Sequence, residues 1–139
     1  MQLAVATYNG IVTRCERIRV SRDEAAYRLR IRPRFSALLK KKQGSRVFRD
    51  KSLQEIFTEL IVDRENFDAI DVEFHLEGAQ EKLEQVVMYE ESVWHFIERH
   101  CRRAGIFWFY KQGRGKQSGE LDTLVFADNP RAYVRSINR

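Results

Sequence analysis

Hydrophobic and polar positions alternate with a period of two over stretches near the start of the chain, and follow the period of a helix further on. Residues 10–20 and 25–34 are β-rich runs, separated by Ser21-Arg22-Asp23-Glu24, a short polar stretch suited to a hairpin. In the second run Tyr27, Leu29, Ile31, Pro33 and Phe35 share one face, while Arg28, Arg30, Arg32 and Arg34 share the other. Arginines two residues apart on a strand stand about 6.6 Å from one another and form a positive ridge. Such a ridge is either a solvated face that blunts edge aggregation or a contact surface for a partner.

Ser52-Leu53-Gln54-Glu55 is a capping box, in which the hydroxyl and the carboxylate each satisfy an orphan backbone donor. Leu53, Ile56, Phe57, Leu60 and Ile61 follow as one apolar stripe, so this helix packs on a core. A second helix opens near Ser92, with Val93, Phe96, Ile97, His100, Cys101 and Ala104 on one face and Gly105 as its stop. Residues 67–76 and 83–89 read as strands between the helices. Residues 106–110, Ile-Phe-Trp-Phe-Tyr, are apolar on both faces, which predicts a central strand. A glycine-rich turn carrying Gly113, Gly115 and Gly119 then leads to a last strand over residues 121–127. The expected order is β-β-α-β-β-α-β-β. This is an α+β fold, mostly antiparallel, a curved sheet or partial barrel with two packed helices.

The 139 residues suit one domain, possibly two small lobes, and 43% hydrophobic with 32% charged residues is the composition of a folded chain. No apolar run approaches the ~20 residues of a membrane span. The start, Met1 to Ala6, lacks the basic and apolar regions of a secretion signal, so synthesis in the cytoplasm is expected. The net charge of +5 is unevenly spread: residues 1–51 carry +10, residues 52–101 carry −10 and residues 102–139 carry +5. An acidic block of that size would repel a phosphate backbone, so the pattern argues for charge pairing within or between subunits. Nucleic-acid binding through the basic N-terminal block is the alternative, with Trp108 and Tyr110 as stacking candidates; their place in a wholly apolar run argues for core instead.

Candidate chemistry is sparse. Glu91, His95 and Glu98 share a helix face on which a divalent ion could sit, but a solvated face has the same pattern. Asp71 and Glu73 are two apart on a strand, as paired acids of a hydrolase would be, without a visible device to raise either pKa. Cys15 and Cys101 lie in no CxxC or Cys/His cluster and read as two buried thiols. Gly113-Arg114-Gly115 lies between strands and so is a hairpin loop, not a phosphate cradle. No catalytic, cofactor or metal residue is assigned, no cofactor is expected, and the chain reads as a non-enzyme. The candidate interaction surface is Arg28, Arg30, Arg32 and Arg34.

An ordered series of segments carries a resemblance. It runs through YNGIVTR from Tyr8, YRLRIRPRFSALLKKKQGSRVFRDKSLQEIF from Tyr27 to Phe57, VVMYEESVWHFIERHCRRAGIFWFY from Val86 to Tyr110, and DTLVFAD from Asp122 to Asp128. Over residues 8–129 the chain resembles the hub region of VgrG-type spike proteins of type VI secretion systems, and the related late-control and baseplate-hub proteins of contractile phage tails. The resemblance implies a structural role. Three hub copies form the base of a membrane-puncturing spike, seated on Hcp tube rings among baseplate components and secreted with the spike. In the family an OB-fold and a β-helix needle follow, with effectors or a PAAR tip beyond. Neither is expected within residues 1–139, so the chain looks like a hub-region fragment. The resemblance carries over no catalytic residue.

Overall fold

The computed structural model describes residues 9–22, 24–62, 67, 71–78, 81–111 and 122–133. In chain order the elements are β1 (Ile11–Val20), β2 (Ala25–Arg32), α1 (Arg34–Leu39), β3 (Gln43–Lys51), α2 (Leu53–Ile61), β4 (Val72–His75), β5 (Leu83–Ser92), α3 (Val93–Ala104), β6 (Phe107–Lys111) and β7 (Thr123–Ala127). The fold is α+β. Strands β1 and β2 form an antiparallel hairpin, β3 and β5 an antiparallel ribbon, and β4, β7 and β6 a three-stranded sheet in that order. The last sheet mixes a parallel β4–β7 pair with an antiparallel β6–β7 pair. Among the described residues no sheet closes into a barrel.

The sequence pattern located both long helices. The Ser52 hydroxyl accepts the Glu55 N–H at 3.3 Å while the Glu55 carboxylate accepts the Ser52 N–H at 2.7 Å, completing the capping box. The Glu55 carboxyl is held below its usual range by those bonds from Ser52. At the other helix the Ser92 hydroxyl accepts the His95 N–H, and Gly105 takes the left-handed conformation, φ 68°, that ends it. Ile56, Phe57, Leu60 and Ile61 of α2 meet Phe96, Ile97 and Cys101 of α3 in one buried cluster with Leu124 and Phe126 of β7. Ring contacts tie it together: Phe57 on Phe126 at 5.2 Å, Phe48 on Phe96 at 5.9 Å, and Trp94 edge-on to Trp108 at 5.7 Å.

Four expectations are corrected. The second β run stops at Arg32, because Pro33 has no N–H to give a strand and instead precedes a short helix, with its carbonyl accepting the Ala37 N–H. Residues 43–51, with no marked alternation, form β3 because β5 supplies a partner for their backbone. The central strand is β7, in which residues 124–127 are fully buried, whereas β6 is an edge strand of half-buried aromatics. Cys15 is exposed, and only Cys101 is buried. The turn carrying Gly113, Gly115 and Gly119, the start at Met1 to Ala6 and most of residues 63–70 lie outside the described residues.

Candidate interaction surface

Hairpin β1–β2 carries the residues singled out from sequence. Its base depends on Gly10, where a Cβ would stand 2.5 Å from Ile31 Cγ2 and 2.8 Å from the Arg32 carbonyl oxygen. Its tip is held by the Ser21 N–H donating to the Glu24 carbonyl at 2.8 Å. The register pairs Arg14 with Arg30, Glu16 with Arg28, Ile11 with Arg32 and Arg19 with Ala26 on one face. Irregularities at Thr13 and Ile18 shift the phase of β1 twice, and this brings Arg14 and Arg19 onto the same face as Arg28, Arg30 and Arg32. Glu16 is the acid among them, paired with Arg14 and lying 3.9 Å from Arg28. Plain alternation in β1 hides this gathering of five arginines, since only the pairing register reveals it.

Arg34 is not part of that face. It opens α1, is buried, and packs beside the mutually stacked rings of Phe35 and Phe67, with its Cζ 5.0 and 4.9 Å from their centroids. Its guanidinium reaches Asp71 at 2.5 Å and Asp122 at 3.4 Å, joining α1 to the approaches of β4 and β7. Burial pushes the Asp122 carboxyl up, against the pull of Arg34. The position that looks like the fourth arginine of a ridge is therefore a structural clamp.

The hairpin's other face pairs Val12 with Ile31, Cys15 with Leu29, Arg17 with Tyr27 and Val20 with Ala25. Val12, Val20, Tyr27, Leu29 and Ile31 there are each more than half exposed. Ribbon β3–β5 has a second open apolar face, where Val47 opposes Val87 and Tyr89 is 70% exposed. Phe48, Val86 and Met88, on the inner face of the same ribbon, are buried.

At the start of α3 the Glu91 carboxylate takes Arg99, with contacts of 2.6–3.2 Å, and Arg99 also donates to the Val87 carbonyl at 3.0 Å. The Arg99 bond holds the Glu91 carboxyl below its usual range. Arg99 Nη1 lies 3.0 Å from His100 Nε2, so that nitrogen is the acceptor and the proton sits on Nδ1. Burial, then Arg99 and Arg103, push the His100 pKa down to about 4. A cleft of about 500 Å³ lies beside this node, lined by Leu53, Leu83, Val86, Arg99, His100 and Arg103.

The residues weighed for chemistry go elsewhere. His95 stands 4.0 Å from Glu91, which is already committed to Arg99, and among the described residues no group of three metal-ligating side chains converges. Asp71 turns to Arg34, while Glu73 binds Lys111 and His75; burial alone would raise the Glu73 pKa, but those two bonds hold it down. Burial, with Glu98 adding to it, pushes the Cys101 thiol up to about 12, the opposite of an activated nucleophile. Trp108 packs on Trp94 and Tyr110 on Phe35, so neither presents an open stacking platform.

These features define an α+β module that leaves five arginines and two apolar ribbon faces exposed. The chain belongs to the phage tail baseplate hub family, GPD, whose sequence profile matches residues 2–138. It is 28% identical over 104 residues to the type VI secretion system spike protein VgrG1a of Pseudomonas aeruginosa, and 29% identical over 109 residues to VgrG4b of the same organism. Those stretches cover 75% and 78% of this chain but only 16% and 13% of the relatives, so the chain spans about one-sixth or less of their length. Among solved structures it is similar, with a TM-score of 0.82 and 23% identity, to the E. coli c3393 protein, over 92% of this chain and 34% of that one. That protein is described as a type VI secretion component structurally similar to the T4 tail proteins gp27 and gp5. The fold is thus that of a contractile-tail hub.

Proposed function

We propose that this chain is the hub portion of a VgrG-type spike of a type VI secretion system, acting by packing rather than by catalysis. The observation that carries the reading is the hub-family match across residues 2–138. It is joined by a fold in which the Cys101 thiol is buried and inert and Asp71 and Glu73 are engaged in ion pairs. In this reading the chain forms one hub unit. Three copies make the base of the spike, seat on the Hcp tube ring within the baseplate and leave the cell with the spike. Effectors or a PAAR tip attach through other segments of the parent protein. Arg14, Arg19, Arg28, Arg30 and Arg32 form its charged contact surface, steering it to an acidic face of a neighbour.

The test is secretion. A parent spike lacking this region is expected to release no Hcp into the medium from a strain whose sheath contracts, while the intact spike releases it. Undiminished Hcp release from the deleted form would overturn the reading.

A further inference from the structure

The cleft of about 500 Å³ beside Arg99 draws its walls from α2, β5 and α3. Successive strand residues point to opposite faces, yet Gln85, Val86 and Val87 all line it, so it runs along an edge of β5 rather than over one face. Strand β3 holds the other edge and contributes no lining residue, and among the described residues no strand pairs with this one. Such an edge presents unpaired backbone donors and acceptors. Arg99, on the opposite wall, donates to the Val87 carbonyl, so a backbone acceptor of β5 is within reach from that side. We propose that this cleft binds the C-terminal end of an extended peptide, which adds as a strand along the open edge of β5 while its terminal carboxylate accepts the His100 Nδ1–H and pairs with Arg103. This goes beyond the hub reading and does not depend on it.

The polar groups of the cleft select the occupant. His100 is nine-tenths buried, and with Nε2 taken by Arg99 its Nδ1–H has no partner among the described residues. That nitrogen is not among the sealed, unpaired side-chain atoms, so it stays open to the cleft that its ring lines. Arg99 is neutralised by Glu91, but the exposed Arg103, one helical turn beyond His100, pairs with no described acid, and its charge acts on the ring. A buried N–H donor beside an uncompensated cation fits a carboxylate. Next to them Leu53, Leu83 and Ala104 form an apolar wall shared with a smaller cleft of about 230 Å³ that Ile106 also lines, which suits an apolar last side chain. A bare anion would leave that wall uncovered, and a free acyl carboxylate would leave the strand edge unpaired; a peptide terminus matches all three features. The bound carboxylate would also oppose the push of Arg99 and Arg103 on the His100 ring, adding to the pull of Glu91 from β5, and so raise the pH at which the ring protonates.

The test titrates the full chain into fluorescein-labelled Ser-Val-Thr-Val-Leu with a free C-terminus, read by fluorescence anisotropy, and follows the His100 ring by heteronuclear NMR. Saturable binding is expected, weakened roughly tenfold or more by C-terminal amidation of the peptide and by Arg103→Glu, which removes the paired charge. Arg103 is exposed, so Arg103→Glu should leave the circular dichroism melt unchanged. If it does not, Arg103→Gln takes its place, and the amide comparison needs no variant. The free-acid peptide should raise the His100 titration midpoint by about one unit or more, and the amide should leave it in place. Leu29→Glu, on the separate hairpin β1–β2, should not alter binding. No saturable binding, equal affinity for acid and amide, or an unmoved His100 midpoint would overturn the proposal. Loss of binding in Leu29→Glu would also overturn it, by placing the peptide on the hairpin. Octanoate is the arm for a small ligand: a midpoint raised by octanoate but not by the peptide would assign the cleft to a free acyl carboxylate and discard the peptide.

Discussion

Strand β2 and strand β7 are both runs of β-branched, aliphatic and aromatic residues, yet they end in opposite surroundings. In β7, Leu124, Val125, Phe126 and Ala127 are fully buried, with β4 on one edge, β6 on the other, and Phe57 of α2 against Phe126. In β2, Tyr27, Leu29 and Ile31 are more than half exposed, and among the described residues no layer covers either face of the hairpin. The same local preference has thus been used once to make a core and once to leave an unfilled surface. What separates them is the alternating arginine: β7 has no charged residue between its apolar positions, so both its faces can be covered, while β2 has one at every second position.

Substitutions that open the core should break this contrast most strongly. Phe57→Ala removes a fully buried ring and is expected to cost about 3–5 kcal/mol in chemical denaturation, whereas Leu29→Ala in the isolated chain should cost less than about 1 kcal/mol. Equal costs would mean that the hairpin is buried in solution as deeply as α2. Next comes the clamp. Arg34→Ala strands Asp71 beside a buried Asp122 and should cost about 3–5 kcal/mol, with a matched Arg34→Lys recovering only part, because an ammonium cannot reach both carboxylates. A wild-type melting curve for Arg34→Ala would place Arg34 on the open ridge after all.

His100 yields a pH effect of smaller size. Its folded pKa of about 4 lies below the ordinary value near 6.5, so the unfolded chain takes up a proton in that window while the folded chain does not. Stability contributed by keeping the ring neutral is therefore full above about pH 6.5. It declines as pH falls toward 4, by about 3 kcal/mol in all. Urea midpoints measured from pH 7 to 4.5 should drop for the natural chain, and His100→Gln should remove most of that slope. Glu73, Glu91 and Asp128, whose pKa values are all depressed, contribute stability lost only below their ordinary values near 4, outside this window.

The smallest effect on folding is expected at the ridge. Arg30→Glu with Arg32→Glu should change the stability of the chain by no more than about 1 kcal/mol, since both residues are exposed. The same pair in a full-length spike should lower trimer recovery and Hcp release by much more. Unchanged assembly would show that the five-arginine face is only solvated.

The helices were legible because their signals are local. Ser52 and Glu55 lie within one turn of each other, the stripe from Leu53 to Ile61 repeats at the helical period, and Gly105 supplies a conformation few other residues adopt. The hairpin was equally legible, with Ser21 and Glu24 three residues apart and strands adjacent in the chain. Strand β3 and the central place of β7 were not, because each depends on a partner 30 or more residues away that no local window contains. Arg34 shows the limit most clearly. Its alternation with Arg28, Arg30 and Arg32 is genuine in the sequence, but the clamp exists only because folding brings Asp71 and Asp122 to it from 37 and 88 residues along the chain. Local chemistry set the helices, their caps and the two-faced hairpin. Tertiary structure alone decided which arginine is buried, which cysteine is open and which apolar faces stay bare, because burial depends on what the distant chain brings to each surface.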